Sequence, residues 1–582
     1  MFVRVNHVKV LRKLREERSA DRLSASNIVA RREFSRTVME LHIMGLVKIS
    51  GGNIMITHAG ERIVEAFKAI NVSEDKIPNP WINSAVIYAL ELAELTGYVP
   101  KLWRDMLEAR GLWSNGTTKA ATEILEAYRN ARPLIYITPE IAEFLIGLPP
   151  GPAPLDELIA FRDSGGYGHN VVNALEATRL LRISPPTPEG STYILTPVGR
   201  KVRRALLRTP IYDSVILIDE RIVDLMRRED LSEAEISELE RMHLKIGTKT
   251  TSMGKELIES YKEQTKAEDV IMPFSMSVEE LAVMKAIEEF TKKYPPEEPV
   301  PTYSDLRDKV PGVNLGEILH LLEAKELVKR VEKRSKDTYE LTDIGLEVLS
   351  KFRDLDRNIT SSAVKSATYT VTGRPPKAEW VKEGRELGII FNDITERGWF
   401  LINIAKRIRK KPFLTIYDAN IMHKVPAKGM KIDELVKNIA NTLNVDEGGV
   451  VRAISEAESK GLVDVLPNDV VVLTHLGRVV KDVISMASTN ELLKSRISIT
   501  PTHYNVLLII KENIGTLKKL YAQKDVKTLI NEEVKIIYNN IKRVTSISLD
   551  EIKKTLQQLR AYGLLGRTGI TEAGELLLKA YA

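Results

Sequence analysis

The sequence predicts a mainly helical α+β chain in which one small unit, three helices with a short β element, is copied about seven to eight times. Three observations predict this. An apolar residue, a threonine, two variable residues and a glycine recur as "ITHAG" 56–60, "LTPVG" 195–199, "LTDIG" 341–345, "ITERG" 394–398, "LTHLG" 473–477 and "ITEAG" 570–574. Chance would supply roughly 0.4 such copies at average residue frequencies. A seventh copy runs from Thr251 to Gly254, and "ITPEI" 137–141 reads as an eighth that has lost its glycine. After each glycine, apolar residues follow at three and seven positions, as in Ile63 and Phe67 or Val202 and Leu206. That spacing marks one packed helix face. Before each copy stands an amphipathic helix ending in a turn, as at Gly45, Gly461 and Gly563.

The local chemistry fits a strand running into a capped helix. The threonine hydroxyl can accept a free N–H of the first helical turn, and the glycine removes a side chain where the helix start meets its neighbour. Upstream, Phe34, Val38 and Leu41 in the first copy and Ile552, Leu556 and Leu559 in the last hold one helix face. A glycine C-cap, a short strand, a polar turn and a second strand lead to the threonine.

This order resembles the winged-helix family of helix-turn-helix domains, with a recognition helix, a two-stranded wing and a closing helix. The chain resembles uncharacterised archaeal proteins built as a tandem array of such units, mainly α with small β-wings. The expected modules are 1–75, 80–147 (degenerate), 155–210, 211–268 (helical or degenerate), 275–355, 356–411 (short), 412–490 and 497–582. The resemblance implies DNA binding by third helices and wings.

Composition narrows the class. The 582 residues include no cysteine, which excludes disulfides and thiolate metal sites. Four glutamines against 28% charged residues lean toward a heat-adapted protein. No secretory signal opens the chain, and no uncharged apolar run reaches membrane-span length, so a cytoplasmic location, compatible with nucleoid association, is expected. Eighty-five Lys and Arg against 79 Asp and Glu leave only +6, so partner choice must come from local patches.

The first module carries such a patch. Eleven Lys or Arg stand against five acids in residues 1–50. Arg31, Arg32, Ser35 and Arg36 lie off the Phe34, Val38, Leu41 face, where a recognition helix meets a major groove. The second module contains Trp81, Trp103 and Trp113, read as core. "LPPGPAP" 148–154 reads as a boundary, and "SGGYG" 164–168 as a turn between helices. The third closing helix, "GRKVRRALLR", adds Arg203 and Arg204 among its cations. Lys333 and Arg334 make the fifth wing basic. Lys406, Arg407, Arg409 and Lys410 form the densest positive run. The last third helix offers Lys553 and Lys554.

The middle argues the other way. Glu317, His320 and Glu323 in the fifth module, and Glu447, Glu456 and Glu458 in the seventh, would repel phosphates and suit protein contacts instead.

Enzyme chemistry finds no support in the sequence. "GTKTTSMGKE" from Gly247 has the wrong glycine spacing for a phosphate loop and Glu256 where magnesium needs Ser or Thr. The nine histidines show no metal-ligand spacing. No cofactor, metal or catalytic residue is expected. The expected activity is non-enzymatic DNA binding in transcription regulation or chromosome organisation; the alternative is an interaction scaffold that docks proteins, RNA or the ribosome.

Overall fold

The computed structural model describes all residues except 18, 22–30, 51–52, 210–213, 264–273, 294–299, 334–335, 409–410, 488–496, 522–525, 542–546, 567–568 and 582. The stretch "SASNIVARR" 24–32, which the sequence predicts as the second helix of the first module, therefore lies mostly outside the described residues.

Each Thr-x-x-Gly segment folds into the same backbone clasp. The hydroxyls of Thr57, Thr196, Thr251, Thr342, Thr395, Thr474 and Thr571 donate to the carbonyls of Gly45, Arg179, His243, Glu326, Gly388, Gly461 and Gly563 at 2.5–2.8 Å. All seven acceptor residues are left-handed, with φ between +54° and +74°. Each threonine N–H donates to the carbonyl of the next residue, a leucine or Ile389, at 3.0–3.2 Å. Each hydroxyl also accepts from the N–H of the glycine three residues on, at 2.9–3.2 Å.

The glycines are required by space, since a Cβ at any of them would stand 1.9–2.4 Å from that same Leu or Ile carbonyl oxygen. The clasp thus ties the end of one helix to the start of another. An eighth clasp sits where the sequence did not announce it. Thr118 donates to Gly111 at 3.2 Å, with Ala121 in the glycine position. Thr138, in the expected eighth copy, instead caps a helix that opens a module.

The chain forms two compact units. Unit 1 holds residues 1–270 and 365–398. Its first part runs α1 (Val5–Glu17), β1 (Ser19–Asp21), α2 (Arg31–Ile43), β2 (Val47–Ser50), β3 (Asn53–Ile56), α3 (His58–Ala69), α4 (Ser84–Thr96), α5 (Lys101–Glu108) and α6 (Lys119–Asn130). Then come β4 (Ile135–Ile137), α7 (Pro139–Gly147), β5 (Ala153–Pro154), α8 (Leu155–Ser164), α9 (His169–Ala177), β6 (Leu181–Ile183), β7 (Thr192–Leu195) and α10 (Pro197–Arg208). It continues with β8 (Ile216–Ile218), α11 (Glu220–Arg227), α12 (Glu233–Arg241), β9 (Lys245–Ile246), β10 (Lys249–Thr250) and α13 (Ser252–Glu263).

Unit 2 holds residues 271–364 and 399–582. Along the second half of the chain the elements are α14 (Val278–Lys293), α15 (Tyr303–Lys309), α16 (Leu315–Ala324), β11 (Val328–Lys333), β12 (Lys336–Leu341), α17 (Asp343–Phe352), α18 (Ser361–Thr372), α19 (Ala378–Glu386) and α20 (Glu396–Arg407), of which α19, most of α18 and the start of α20 belong to unit 1. It then runs through α21 (Ile416–Lys424), β13 (Met430–Lys431), α22 (Ile432–Leu443), α23 (Glu447–Ser459), β14 (Val463–Val465), β15 (Val470–Leu473) and α24 (His475–Ala487). The last elements are α25 (Pro501–Glu512), α26 (Ile514–Tyr521), α27 (Val526–Ile541), α28 (Leu549–Ala561) and α29 (Glu572–Ala580).

Set side by side, α1–α13 and α14–α29 follow a similar though not identical order of helices and hairpins; the chain is mainly helical with small antiparallel strand pairs and is internally duplicated. Buried polar contacts repeat too. Ser84, first in α4, donates to Glu176 near the end of α9, and Ser361, first in α18, donates to Glu458 near the end of α23. Helices that follow a clasp pack in pairs: α3 on α6 and α10 on α13 in unit 1, α24 on α29 in unit 2. Trp81, Trp103 and Trp113 are buried, and Gly166 (φ +69°) makes the turn between α8 and α9.

The proline stretch 148–154 does not separate two bodies. α7 before it packs on α9 and α10 after it, β5 pairs with β7, and the Gly151 N–H donates to the Asn392 carbonyl at 2.8 Å. The prolines serve a tight crossing inside unit 1. The segment from Gly247 is the β9–β10 turn followed by the Thr251 cap of α13.

The clasp carries a direct expectation. In Gly477→Ala the new Cβ would meet the Leu462 carbonyl oxygen at 1.9 Å, and backbone cannot yield cheaply. The unfolding transition should lose roughly 1–3 kcal/mol, and Thr474→Val about 1–2 kcal/mol. Thermal or urea unfolding checks both; unchanged midpoints would mean that the clasp contributes nothing.

Candidate nucleic-acid interface

The residues expected to meet nucleic acid fall into three groups. Arg334, Arg409 and Lys410 lie outside the described residues, as do the side chains of Arg31, Arg32 and Lys333, although the last three belong to α2 and β11. A second group is occupied by the protein itself. Arg203 reaches back to the end of α7, where Nε donates to the Leu145 carbonyl and Nη2 to the Ile146 carbonyl, both at 3.0 Å. It satisfies carbonyls that a helix end leaves open, so it is a structural cap rather than a phosphate contact. Arg407 pairs with Glu347 at 2.8 Å on the surface.

Arg36 is half committed. Its guanidinium bonds Glu40 at 3.0 Å, one turn along α2, and Asn170 of α9. Behind it lies a cluster that the sequence reading missed. The Arg4 N–H donates to His7 Nδ1 at 3.0 Å, which fixes the ring as the Nε2–H tautomer. Nε2 then donates to Glu40 at 2.7 Å, and the Arg4 side chain bonds the same carboxylate. Burial pushes the His7 imidazole down, so the ring is a neutral donor. Burial alone would push the Glu40 carboxyl up, but the hydrogen bonds from His7 and Arg4 outweigh it and hold the group at about 2. The i, i+4 spacing of Arg36 and Glu40 was a legible hint; the closeness of α1 and α9 was not.

The third group is exposed: Ser35 on α2, Arg204 on α10, Lys406 on α20, and Lys553 and Lys554 on α28. α28 has the clearest geometry. Ser548 caps it, its hydroxyl accepting from the Glu551 N–H at 3.2 Å. Ile552, Thr555, Leu556 and Leu559 face the core, so Lys553, Lys554 and Gln557 face out. Glu551 is held by Arg330 at 2.8 Å. The lysines therefore stand on the exposed face one turn after Asp550, which is exposed as well.

The duplicated copy shows what the fold itself demands there. α12 matches α28 in order and begins with the same Ser-x-x-Glu cap, Ser232 and Glu235. Ser237 and Glu238 stand in the places of Lys553 and Lys554, and Glu238 pairs with Arg221 at 2.9 Å. The architecture forms with either charge at these positions. Among the described residues no group of His, Asp and Glu could hold a metal ion, and no helix is long and apolar enough to cross a membrane.

The Glu40 cluster sets a pH dependence. A carboxyl held at about 2 in the fold contributes stability above its unfolded value of about 4.5, lost as the pH falls from there toward 2. Glu40→Gln should therefore cost roughly 1–3 kcal/mol at neutral pH and flatten the acid limb of stability. Urea unfolding between pH 2.5 and 7 tests this; parallel pH profiles for the two proteins would contradict it.

Comparisons with known proteins follow this geometry. The model of a family described as protein of unknown function, DUF505, matches the chain twice, over residues 1–311 and 310–581. An uncharacterised protein of Methanocaldococcus jannaschii is 34% identical over 584 residues, which covers 100% of this chain and 99% of that protein. No solved structure matches the chain. With matches spanning nearly every residue, and a relative that aligns from end to end, the chain belongs to the DUF505 family.

Proposed function

We propose that the chain is a non-enzymatic, cytoplasmic DNA-binding protein of tandem winged-helix modules, acting in transcription regulation or chromosome organisation. Its main reading helix is α28, and α2, which exposes Ser35 and Arg36, is a second contact. One observation carries the proposal. At matching positions of the duplicated units, α12 has Ser237 and Glu238 where α28 has Lys553 and Lys554. A fold that forms without those lysines does not need them for packing, and exposed cations beside Gln557 suit phosphates and base edges.

A second reading has its own support. The third helices α12, α16 and α23 expose Glu233, Glu317 and Glu447, and Arg36, Arg203 and Arg407 are drawn into internal contacts. These features favour a scaffold for proteins, RNA or the ribosome.

Duplex-DNA binding over a salt series separates the two. On the DNA reading, affinity falls steeply with salt, and the Lys553→Ala/Lys554→Ala double variant lowers the log–log slope by about 2, with binding about tenfold weaker or worse. Equal slopes and affinities for both proteins would overturn α28 as the contact.

A further inference from the structure

Each unit has a cleft at the same place in its repeat, beside the first hairpin and the start of the helix that opens the fourth module. In unit 1 it encloses about 600 Å³, within the range of ligand sites. Val47, Lys48, Ile49 and Ser50 line it in succession. Side chains alternate between the faces of a strand, so four consecutive lining residues mean that the cleft meets β2 along its edge.

That edge is open. The sheet order is β1-β3-β2, and among the described residues no strand pairs with the outer side of β2. The Thr57 N–H donates to the Leu46 carbonyl at 3.0 Å, so the antiparallel alternation turns Lys48 and Ser50 toward β3 and leaves the backbones of Val47 and Ile49 facing outward. His42 Nδ1 lies 3.2 Å from the Val47 carbonyl. Ile49 keeps its N–H and carbonyl at the cleft.

Unit 2 has a matching cleft of about half the volume. There Val328, Lys329 and Arg330 line a volume of about 320 Å³. Arg330 stands where unit 1 has Ile49, and its guanidinium makes a two-pronged pair with Glu551 at 3.0 and 2.8 Å. In unit 1 the residue matching Glu551 is Glu235, which is held by the Ser232 cap and by Arg228. Among the described residues no such clamp joins β2 to α12 in unit 1.

Charge selects the occupant. Lys48 is exposed on the lining strand, and Arg132 and Arg221 line the cleft beside Asp219 and Glu220. The Asp219 carboxylate is spent capping α11 through the Ile222 N–H at 2.8 Å, and Glu220 lies 3.4 Å from Arg132. Lys48 is the cation placed to meet a carboxylate from outside.

We propose that the unit 1 cleft takes an extended peptide of a partner protein, which adds as a strand to the edge of β2 and sets an acidic side chain against Lys48. The proposal is independent of the nucleic-acid reading. Strand addition draws affinity from backbone hydrogen bonds and selectivity from alternate side chains.

The test uses the full chain and a display library of random heptapeptides, with the selected peptides synthesised and titrated by fluorescence polarisation. Ile49→Pro removes the edge donor where an edge strand tolerates proline, and Lys48→Glu reverses an exposed charge without touching the core. Selected peptides should carry an acidic residue, slow amide exchange at Ile49, and bind each variant about tenfold more weakly or worse, the scale of one lost hydrogen bond. A library that yields no binder, or binders indifferent to both substitutions, would overturn the proposal. So would a concentration-dependent dimer of the chain alone that Ile49→Pro abolishes, since the occupant would then be a second copy.

Discussion

One hydrogen-bonded clasp governs this molecule: a threonine hydroxyl that donates to the carbonyl of a left-handed residue and accepts from a glycine N–H. It joins the C-terminal end of one helix to the N-terminal end of the next through a few backbone groups. Both ends would otherwise expose unsatisfied donors and acceptors. Glycine is needed at its fourth position because the helix start lies directly on the Leu or Ile carbonyl, as at Gly199 and Leu180. The left-handed residue is less constrained. Arg179, His243 and Glu326 hold it at φ +57°, +56° and +54°, accepting a strain that glycine avoids at Gly45 and Gly461.

With helix ends fixed this way, the clasp sets how modules combine. The helix after each clasp presents apolar residues at three and seven positions, and these faces meet in pairs, α3 with α6 and α10 with α13. A face paired within the chain is closed to outside partners, which leaves hairpins and third helices as the variable surface. There the duplicated units diverge. Ser237 and Glu238 answer to Lys553 and Lys554, and Ile49 answers to Arg330. Function is sought where the copies differ, because the shared fold cannot require both versions.

The sequence showed the clasp threonines and glycines, the amphipathic helices and the buried tryptophans, because each depends on local chemistry with a regular spacing. It hid what depends on distant partners. Thr118 escaped notice because alanine replaces its glycine, and Thr138 misled because an apolar residue and a threonine without that glycine also start an ordinary capped helix. The prolines of 148–154 looked like a boundary; the packing of α7 before them on α9 and α10 after them places them inside unit 1. Charge was the least legible property. Arg203 and Arg204 are neighbours in one basic run, yet one caps α7 and the other faces solvent. Nor could residue order show that Arg36 shares Glu40 with Arg4 and His7, since that needs α1 beside α2.

Native-state amide hydrogen exchange of the full chain, resolved at the threonine and glycine of each of the seven clasps, tests the central claim most directly. The account predicts slow exchange at all of them, at rates comparable to mid-helix amides of the same module. Exchange at several clasps as fast as at exposed turns would contradict it, because the helix ends would then not be tied together as described.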